Sequence, residues 1–264
     1  MRIELSGKTA LVTASTAGIG FATAKGLAES GATVVLNGRS DASVAKAREK
    51  LLAAVPNAQL LGIAADLSDS AGADKLLAAL PSVDILVNNA GIYEQQDFFE
   101  SDDALWEQHW QTNVMSGVRL SRALLPQLMA KGWGRVVFIS SESARNIPAD
   151  MIHYGVSKTA QLALSRGLAK RVAGSCVTVN SVLPGPTLSD GLITMLAEEI
   201  KHTGKSAEEL AKEFILAHRS SSVIQRVATV EEVANLVIYV CSPLSSATSG
   251  AALRVDGGVV DDII

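Results

Sequence analysis

The chain has 264 residues, of which 48% are hydrophobic and 19% are charged, and its formal net charge is −4. This balance excludes the strongly basic surface of nucleic-acid-binding proteins, a disordered chain and a disulfide-stapled miniprotein. Glu4 and Lys8 precede any apolar run of signal-peptide type, and no stretch of 18 apolar residues occurs, so we expect a cytoplasmic protein without a membrane span. Cys176 and Cys241 predict free, buried thiols in a reducing compartment.

Short apolar runs alternate with longer helical patterns along the whole chain. The runs are continuous rather than alternating, as in parallel strands that are covered on both faces. Strands are expected at 9–13, 33–37, 60–64, 84–88, 135–140, 177–182 and 252–255, and helices near 19–30, 42–54, 70–80, 102–131, 154–173, 206–217 and 230–241. This order predicts one α/β domain over 1–264, a doubly wound, seven-stranded parallel sheet with helices on both faces.

Two features interrupt this regular order. Pro126 is expected to kink the long helix 102–131. From Pro184 to about Gln225 the chain runs roughly 40 residues without a strand. We predict a lid-like insertion at about 186–225, and the alternative is a helical insertion with no gating role.

The first strand is followed directly by Thr13-Ala14-Ser15-Thr16-Ala17-Gly18-Ile19-Gly20 and then by a helical pattern. Gly18 and Gly20 allow backbone N–H groups to approach a ligand closely, and the start of the helix directs its positive end at an anion. A turn of this kind, placed after the first strand, indicates a site for the pyrophosphate of a nucleotide.

The end of the second strand indicates which dinucleotide binds. An acidic residue here would bind the ribose 2′-hydroxyl of NAD(H), but the chain has Asn37-Gly38-Arg39-Ser40 and no carboxylate before Asp41. A guanidinium pairs with a phosphate. Arg39 therefore favours NADP(H), and NAD(H) remains the alternative if Arg39 is only a solvated turn residue.

Several polar residues are spaced for proton chemistry. Tyr154 and Lys158 are four residues apart on a predicted helix and so share one face, where an ammonium could lower the pKa of the phenol. Ser141 lies at the carboxyl end of the fifth strand, where ligands of open α/β sheets bind. Asn113 is a poor mid-helix residue and indicates a functional or helix-distorting role.

These residues, with Asn88-Asn89-Ala90-Gly91, Pro184-Gly185 and Val255-Asp256-Gly257-Gly258, resemble the short-chain dehydrogenase/reductase family from about residue 5 to 258. The resemblance implies a Rossmann-type fold and hydride transfer between NADP(H) and a carbonyl or secondary alcohol. It implies four catalytic residues: Tyr154 as the proton donor, Lys158 beside it and on the nicotinamide ribose, Ser141 on the substrate oxygen, and Asn113 in a proton relay. Ser140 and Ser143 are rivals for the serine role.

The resemblance also implies a set of residues that contact the cofactor, with Asp66 near the adenine and 184–189 near the carboxamide. The set is Thr13, Ser15, Thr16, Gly18, Ile19, Gly20, Asn37, Arg39, Ser40, Asp66, Leu67, Asn88, Asn89, Ala90, Gly91, Tyr154, Lys158, Pro184, Gly185, Thr187 and Ser189. Ala14 replaces the family's first glycine, and we expect it to have a negative φ and no strain. Ser189 stands where the family usually has Thr. No metal is expected.

The substrate is expected to be a small carbonyl or alcohol. The alternatives are reduction of 3-oxoacyl groups on a carrier protein and, least favoured, a cofactor-binding sensor without turnover. Carrier docking requires basic residues; Gly132 and Ser175 replace two of them, although Lys131, Arg135 and Arg171 lie nearby. Candidate substrate residues are Ser141, Ser143, Tyr93, Arg145, Asn146, Met151 and His153. The long helices resemble the family's subunit-contact bundle and imply a homotetramer or homodimer.

Overall fold

The fold is described for residues 2–263 of a computed structural model. Its nine strands are β1 Thr9–Val12, β2 Thr33–Gly38, β3 Leu60–Ala64, β4 Ile85–Asn88, β5 Gly134–Ile139, β6 Val177–Pro184, β7 Thr187–Leu188, β8 Ala228–Thr229 and β9 Ala252–Val255. Its ten α-helices are α1 Gly18–Glu29, α2 Asp41–Ala54, α3 Ser70–Ala79, α4 Asp103–His109, α5 Ser116–Lys131, α6 Ile152–Arg171, α7 Asp190–Met195, α8 Ala197–Thr203, α9 Ala207–His218 and α10 Val230–Cys241.

Seven of the strands form one parallel sheet in the order β3-β2-β1-β4-β5-β6-β9. The strand order reverses direction between β1 and β4, where Ala10 pairs with Ile85. In open α/β sheets a crevice forms outside the carboxyl ends of the strands at such a switch point. The predicted fold class is confirmed, and the sheet presents its crevice beside the turn that follows β1.

Both faces of the sheet are buried, which explains the continuous apolar runs of the strands. Successive residues of β1 alternate between two cores: Ala10 and Val12 pack on one face with α1 and α10, and Leu11 packs on the other with Leu120 and Leu124 of α5. All of these side chains are below 5% exposed. Because neither face of β1 contacts water, its pattern has no polar alternation.

The helix predicted over 102–131 is interrupted. A π-helical turn, Trp110–Met115, separates α4 from α5 and contains the buried Asn113. A π turn inserts one extra residue and is frequent at functional sites. Asn113, for which a functional or helix-distorting role was predicted, thus lies in the distorted turn, while α5 continues through Pro126 to Lys131.

The segment between β6 and α10 forms a separate small layer. Its helices α7, α8 and α9 enclose a core of their own, which includes Leu196, Leu210 and Ile215. The short parallel pair β7–β8 joins the two ends of this layer, since Thr187 pairs with Ala228. The layer packs over the crevice of the main sheet, and its residues line the cavity that is described below.

Two further sequence expectations concern membrane crossing and thiols. Among residues 2–263, we find no helix with the length and apolar character that spanning a bilayer requires. Both cysteines are free, but only Cys241 is buried; Cys176 is exposed and has φ +60°. The expectation that both thiols are buried was wrong for Cys176, because it lies in the surface turn between α6 and β6.

Candidate active site

A cavity of about 650 Å³ lies at the carboxyl ends of β4, β5 and β6. The small layer 187–229 covers one side of it, and Ile19 at the start of α1 reaches it from the other. The lining residues are Ile19, Asn89, Gly91, Ile92, Tyr93, Glu94, Gln95, Ile139, Ser140, Ser141, Glu142, Ser143, Met151, Tyr154, Lys158, Pro184, Gly185, Pro186, Thr187, Ser189, Gly191, Leu192, Thr194, Met195, Phe214 and Arg219.

The turn after β1 has a left-handed residue at Ala14, with φ +48°. The expectation of a negative φ was wrong. Two asparagine side chains hold this conformation: Asn37 Oδ1 accepts a hydrogen bond from the Ala14 N–H at 3.1 Å, and Asn89 Nδ2 donates to the Ala14 carbonyl at 3.2 Å. A left-handed alanine costs roughly 1–2 kcal/mol, and the surrounding hydrogen bonds offset that cost.

Some residues predicted to contact the cofactor have buried side chains that bond or pack within the protein. Thr13 is buried, and its hydroxyl oxygen accepts from the N–H groups of Asn89 and Ala90. Asn37 donates to the carbonyls of Ile63 and Ala65. Ser15, Leu67 and Asn88 are also buried: Ser15 bonds Asn37, Leu67 packs in the core, and Asn88 donates to Ser121. These five side chains shape the walls of the site, and contact of these residues with a cofactor stays a prediction.

The two glycines of the turn are each required by their surroundings or backbone conformation. A Cβ at Gly20 would lie 2.5 Å from Asn89 Nδ2, so only glycine fits there. Gly18 has φ +55°, and its N–H at the start of α1 donates to the Asp190 carboxylate at 2.8 Å. A negatively charged group therefore already takes a hydrogen bond from this helix start, which is where a phosphate would bind.

Arg39 lies exposed at the end of β2 and forms no ion pair with any residue in the described range 2–263. Its neighbour Ser40 caps α2 by accepting from the Ser43 N–H. Asp66, after β3, is exposed and accepts from the Ser68 N–H at 3.0 Å. Arg39 is thus placed to contact a ligand beyond the carboxyl end of β2.

Ser141, Tyr154 and Lys158 meet in the cavity. Burial raises the pKa of the Tyr154 phenol, and the charge of Glu142 and the nearby Tyr93 raise it further, while a hydrogen bond with Ser141 opposes them. Burial lowers the pKa of Lys158 to about 8. Its ammonium donates to the Ile139 carbonyl at 3.0 Å and lies 5.6 Å from the Tyr154 ring centroid.

The prediction that Lys158 lowers the phenol pKa stays a prediction. In this structure the ammonium donates to the backbone of β5, and burial lowers the pKa of Lys158 while it raises the pKa of Tyr154. The protonated phenol is the form that donates a proton.

Asn113 connects the π turn to the floor of the cavity. Its Oδ1 accepts from the Ile92 N–H at 2.8 Å, and its Nδ2 donates to the Ile92 carbonyl and to Ser157. A Cβ at Gly91 would lie 3.2 Å from Lys158 Nζ and 3.4 Å from Asn113 Oδ1. Gly91 therefore permits the close approach of these two side chains.

An ion pair, Glu142 with Arg219, lines the cavity next to Ser141. Glu142 is 3% exposed, and its carboxylate accepts from the hydroxyls of Ser141, at 3.0 Å, and Ser143. Arg219, from the residue after α9, donates its Nε to Glu142 Oε1 at 3.2 Å. The sequence carries little signal for this pair, although Glu142 directly follows Ser141 at the end of β5.

The candidate substrate residues divide into two groups. Tyr93, Ser143 and Met151 line the cavity. Arg145, Asn146 and His153 do not, which corrects their assignment: Arg145 pairs with Asp262 at 2.7 Å, Asn146 is exposed outside the cavity, and His153 is buried against His109, with ring centroids 4.4 Å apart. Sequence reasoning missed Glu142 and Arg219, as well as the apolar wall that includes Leu192, Met195 and Phe214.

Comparison with known proteins agrees with this geometry. The family model described as enoyl-(acyl carrier protein) reductase matches residues 13–260. The chain is 45% identical over 263 residues to an uncharacterized oxidoreductase, YvaG, of Bacillus subtilis, with both chains fully covered. It is 32% identical to the 3-oxoacyl-[acyl-carrier-protein] reductase FabG of Aquifex aeolicus, and the alignment covers 98% of this chain and 100% of FabG.

Among solved structures, the L-sorbose reductase of Gluconobacter frateurii, complexed with NADPH and L-sorbose, superimposes with a TM-score of 0.92. The two chains are 31% identical and each is covered completely. The similarity to these oxidoreductases therefore extends over the whole length of the chain. It agrees with the sheet order, the turn after β1 and the cluster of Ser141, Tyr154 and Lys158. The chain belongs to the short-chain dehydrogenase/reductase family of oxidoreductases.

Proposed function

We propose that the protein is an NADP(H)-dependent carbonyl reductase, or alcohol dehydrogenase in reverse, that acts on a small free substrate. The observation that carries this proposal is the meeting of Ser141, Tyr154 and Lys158 in a cavity that also adjoins the turn after β1. In the direction of reduction, a carbonyl, NADPH and a proton give a secondary alcohol and NADP⁺.

The residues at the cofactor end fit a dinucleotide. The Asp190 carboxylate accepts from the Gly18 N–H where a phosphate oxygen would bind, and the absence of a Cβ at Gly20 lets the turn pack closely against Asn89. When bound, NADP(H) would supply or accept the hydride. Gly18, Ile19 and Gly20 would hold its pyrophosphate, and Lys158 its nicotinamide ribose.

The proton at the substrate oxygen would come from Tyr154. A phenol is protonated at neutral pH and so can donate its proton during reduction. The Ser141 hydroxyl, which donates to Glu142 in this structure, would turn to donate a hydrogen bond to the same oxygen and so stabilise the negative charge that develops there. In the reverse direction Tyr154 would take the proton of the alcohol.

Arg39 supports the preference for NADP(H). Its guanidinium is exposed and has no acidic partner within the described residues, so a 2′-phosphate would meet an uncompensated positive charge. The relative from G. frateurii is described with NADPH bound.

Reduction of carrier-bound acyl groups remains the second candidate, because one relative is a 3-oxoacyl carrier-protein reductase. The basic residues near the predicted docking face are largely engaged elsewhere. Arg135 is 2% exposed and donates to the Ser242 carbonyl, and Lys131 bonds Asp84 at 2.9 Å. Arg171 is the exposed exception. A small free substrate fits this arrangement better.

We also propose a cytoplasmic homotetramer, with a homodimer as the alternative. Trp110, 41% exposed, and Val156, 38% exposed, are apolar surface residues of the π turn and α6, and they suit a subunit contact. The exposed thiol of Cys176 suits a reducing compartment. Sedimentation equilibrium of wild type and Trp110→Glu tests the assembly, which the charge should weaken.

The function is tested by following NADPH and NADH absorbance with a panel of ketones, aldehydes, sugars and acyl thioesters. We expect NADPH to be consumed with a small carbonyl, and Tyr154→Phe to lower kcat roughly 10²- to 10⁴-fold. Equal turnover by the Tyr154→Phe variant would contradict the proposal, and consumption only with carrier-bound thioesters would favour the second candidate.

A further inference from the structure

Hydride and proton transfer do not account for the charged pair of Glu142 and Arg219. Both side chains line the cavity, and most of the surrounding wall is apolar, including Ile92, Leu192 and Phe214. Two charges in such surroundings lose much of their hydration, and an ion pair alone often fails to repay that loss. Because this pair lies beside the reacting groups, a role in recognising the substrate would account for its burial.

The Glu142 carboxylate retains capacity for one more hydrogen bond. A carboxylate offers about four acceptor positions. The Ser143 hydroxyl and Arg219 Nε occupy two of them, and the Ser141 hydroxyl occupies a third until it turns to the substrate oxygen. A donor in the cavity could take the fourth, and the buried carboxylate would favour a hydroxyl over an apolar group, which could not donate.

The fourth acceptor position of Glu142 lies beside the reacting groups, and this limits which substrate atom could reach it. A carbonyl oxygen that contacts both Ser141 and Tyr154 lies next to Glu142, because Ser141 Oγ is only 3.0 Å from Glu142 Oε2. The substrate atom nearest to Glu142 would then be a substituent on the carbon adjacent to the carbonyl carbon. A hydroxyl on that carbon could donate to the carboxylate.

Arg219 closes this pocket from the small layer. Its Nη1 donates to the His218 carbonyl at 2.9 Å, and its guanidinium lies over the Phe214 ring. Within the described residues its Nη2 has no hydrogen-bond partner, and its side chain is 15% exposed. It therefore holds Glu142 in place and leaves a donor for a second substrate oxygen.

We propose that Glu142, held by Arg219, is a specificity-determining residue that selects α-hydroxy carbonyl substrates by accepting a hydrogen bond from the hydroxyl next to the reacting carbonyl. This proposal rests on the proposed function and assigns its substrate class. The reaction converts an α-hydroxy ketone, NADPH and a proton to a vicinal diol and NADP⁺. The hydroxyl that binds Glu142 keeps its bonds throughout.

The test compares two ketones that differ only in the α-hydroxyl, 1-hydroxy-2-butanone and 2-butanone, by the ratio of their kcat/KM values. In Glu142→Gln the ratio is expected to fall roughly 10- to 150-fold, as for the loss of a charge-assisted hydrogen bond. Arg219→Gln should lower the ratio in the same direction and serves as a second variant if Glu142→Gln folds poorly. Glu94→Gln, which neutralises the other carboxylate on the cavity wall, is the matched control and should leave the ratio within about threefold.

The outcomes separate this proposal from the function on which it rests. A purely structural role of Glu142 would lower both kcat/KM values equally and leave their ratio unchanged, which would overturn the proposal. So would a wild type that prefers 2-butanone, or that reduces other carbonyls but neither member of this pair. A wild type that consumes NADPH with no carbonyl of the wider panel would overturn the proposed function as well.

Discussion

The two ends of the cavity present their binding groups in different ways. At the end where we propose that the cofactor binds, the groups available to it are mainly backbone groups, in the turn that contains Ala14, Gly18 and Gly20. At the substrate end they are side chains, among them Ser141 and Glu142. A backbone site depends on turn geometry and tolerates many side chains, whereas a side-chain site changes its specificity with single substitutions.

The largest expected effect is at the substrate end. Ser141→Ala removes a donor to the reacting oxygen and is expected to lower kcat roughly 10²- to 10³-fold. Ser140→Ala is the matched control, because that hydroxyl is buried and donates to the Lys158 carbonyl at 2.9 Å. Steady-state kinetics should show a loss below tenfold for the control. A larger loss in Ser140→Ala than in Ser141→Ala would reverse the assignment.

The next effect is at the cofactor end, where one side chain adds to the backbone contacts. Arg39→Ala is expected to raise the Kd for NADPH roughly 10- to 150-fold and to leave the Kd for NADH nearly unchanged. Arg48→Ala, which removes an exposed arginine of α2, is the control and should change neither. Fluorescence titration gives both constants. Equal losses for the two cofactors would contradict the role of Arg39.

Lys158 lies beside Tyr154 and would also contact the nicotinamide ribose. Its burial should reduce the stability of the folded chain. A pKa of about 8 in the folded chain, against an ordinary lysine pKa of 10.5, corresponds to roughly 3 kcal/mol. The folded pKa is the lower one, so the cost is complete below pH 8 and disappears as the pH rises through 10.5. Lys158→Met removes the charge but also leaves the Ile139 carbonyl without its donor, at about 1–3 kcal/mol.

We therefore compare the free energy of unfolding of Lys158→Met minus that of wild type. This difference is expected to be largest at pH 7 and to decrease by about 2–3 kcal/mol by pH 10.5. Urea unfolding at several pH values measures this difference. Lys170→Met, which replaces an exposed lysine of the same helix, should show no such pH dependence. A constant difference between Lys158→Met and wild type would show that burial of the ammonium is not the cause.

The smallest effect is expected at Ala14. Glycine would relieve roughly 1–2 kcal/mol of left-handed strain and would cost about 0.4–1 kcal/mol in a more flexible unfolded chain. Ala14→Gly should thus raise the free energy of unfolding by about 0.5–1 kcal/mol and leave NADPH affinity within about threefold. Ala45→Gly is the control, since Ala45 is exposed on the helical backbone of α2, where glycine should lower stability. Much tighter NADPH binding in Ala14→Gly would show that the strain weakens the cofactor site.

Local sequence predicted most of the fold. The strands of the buried parallel sheet appear as continuous apolar runs, and Asn113 marked the distorted part of its helix. The backbone of Ala14 was predicted wrongly because its conformation depends on Asn37 and Asn89, which are 23 and 75 residues away.

The substrate end was predicted where a family motif passes through it and in the flanking loops, where Tyr93, Ser143 and Met151 line the cavity. The partner of Glu142 is Arg219, 77 residues further along the chain, and no local pattern connects the two. The layer that carries Arg219 was predicted as an insertion, but its own core and its contact with the end of β5 are tertiary features. Charge pairs of this kind are found from the folded structure.

The most direct test of the separation between the two ends is deuterium transfer from NADPH labelled at the transferred position, measured in wild type and Tyr154→Phe beside the Kd for NADPH. We expect wild type to place one deuterium on the former carbonyl carbon. We expect Tyr154→Phe to bind NADPH with an unchanged Kd and to transfer the label at least about 100-fold more slowly. Equal transfer rates, or a loss of NADPH binding that parallels the loss of transfer, would contradict this account.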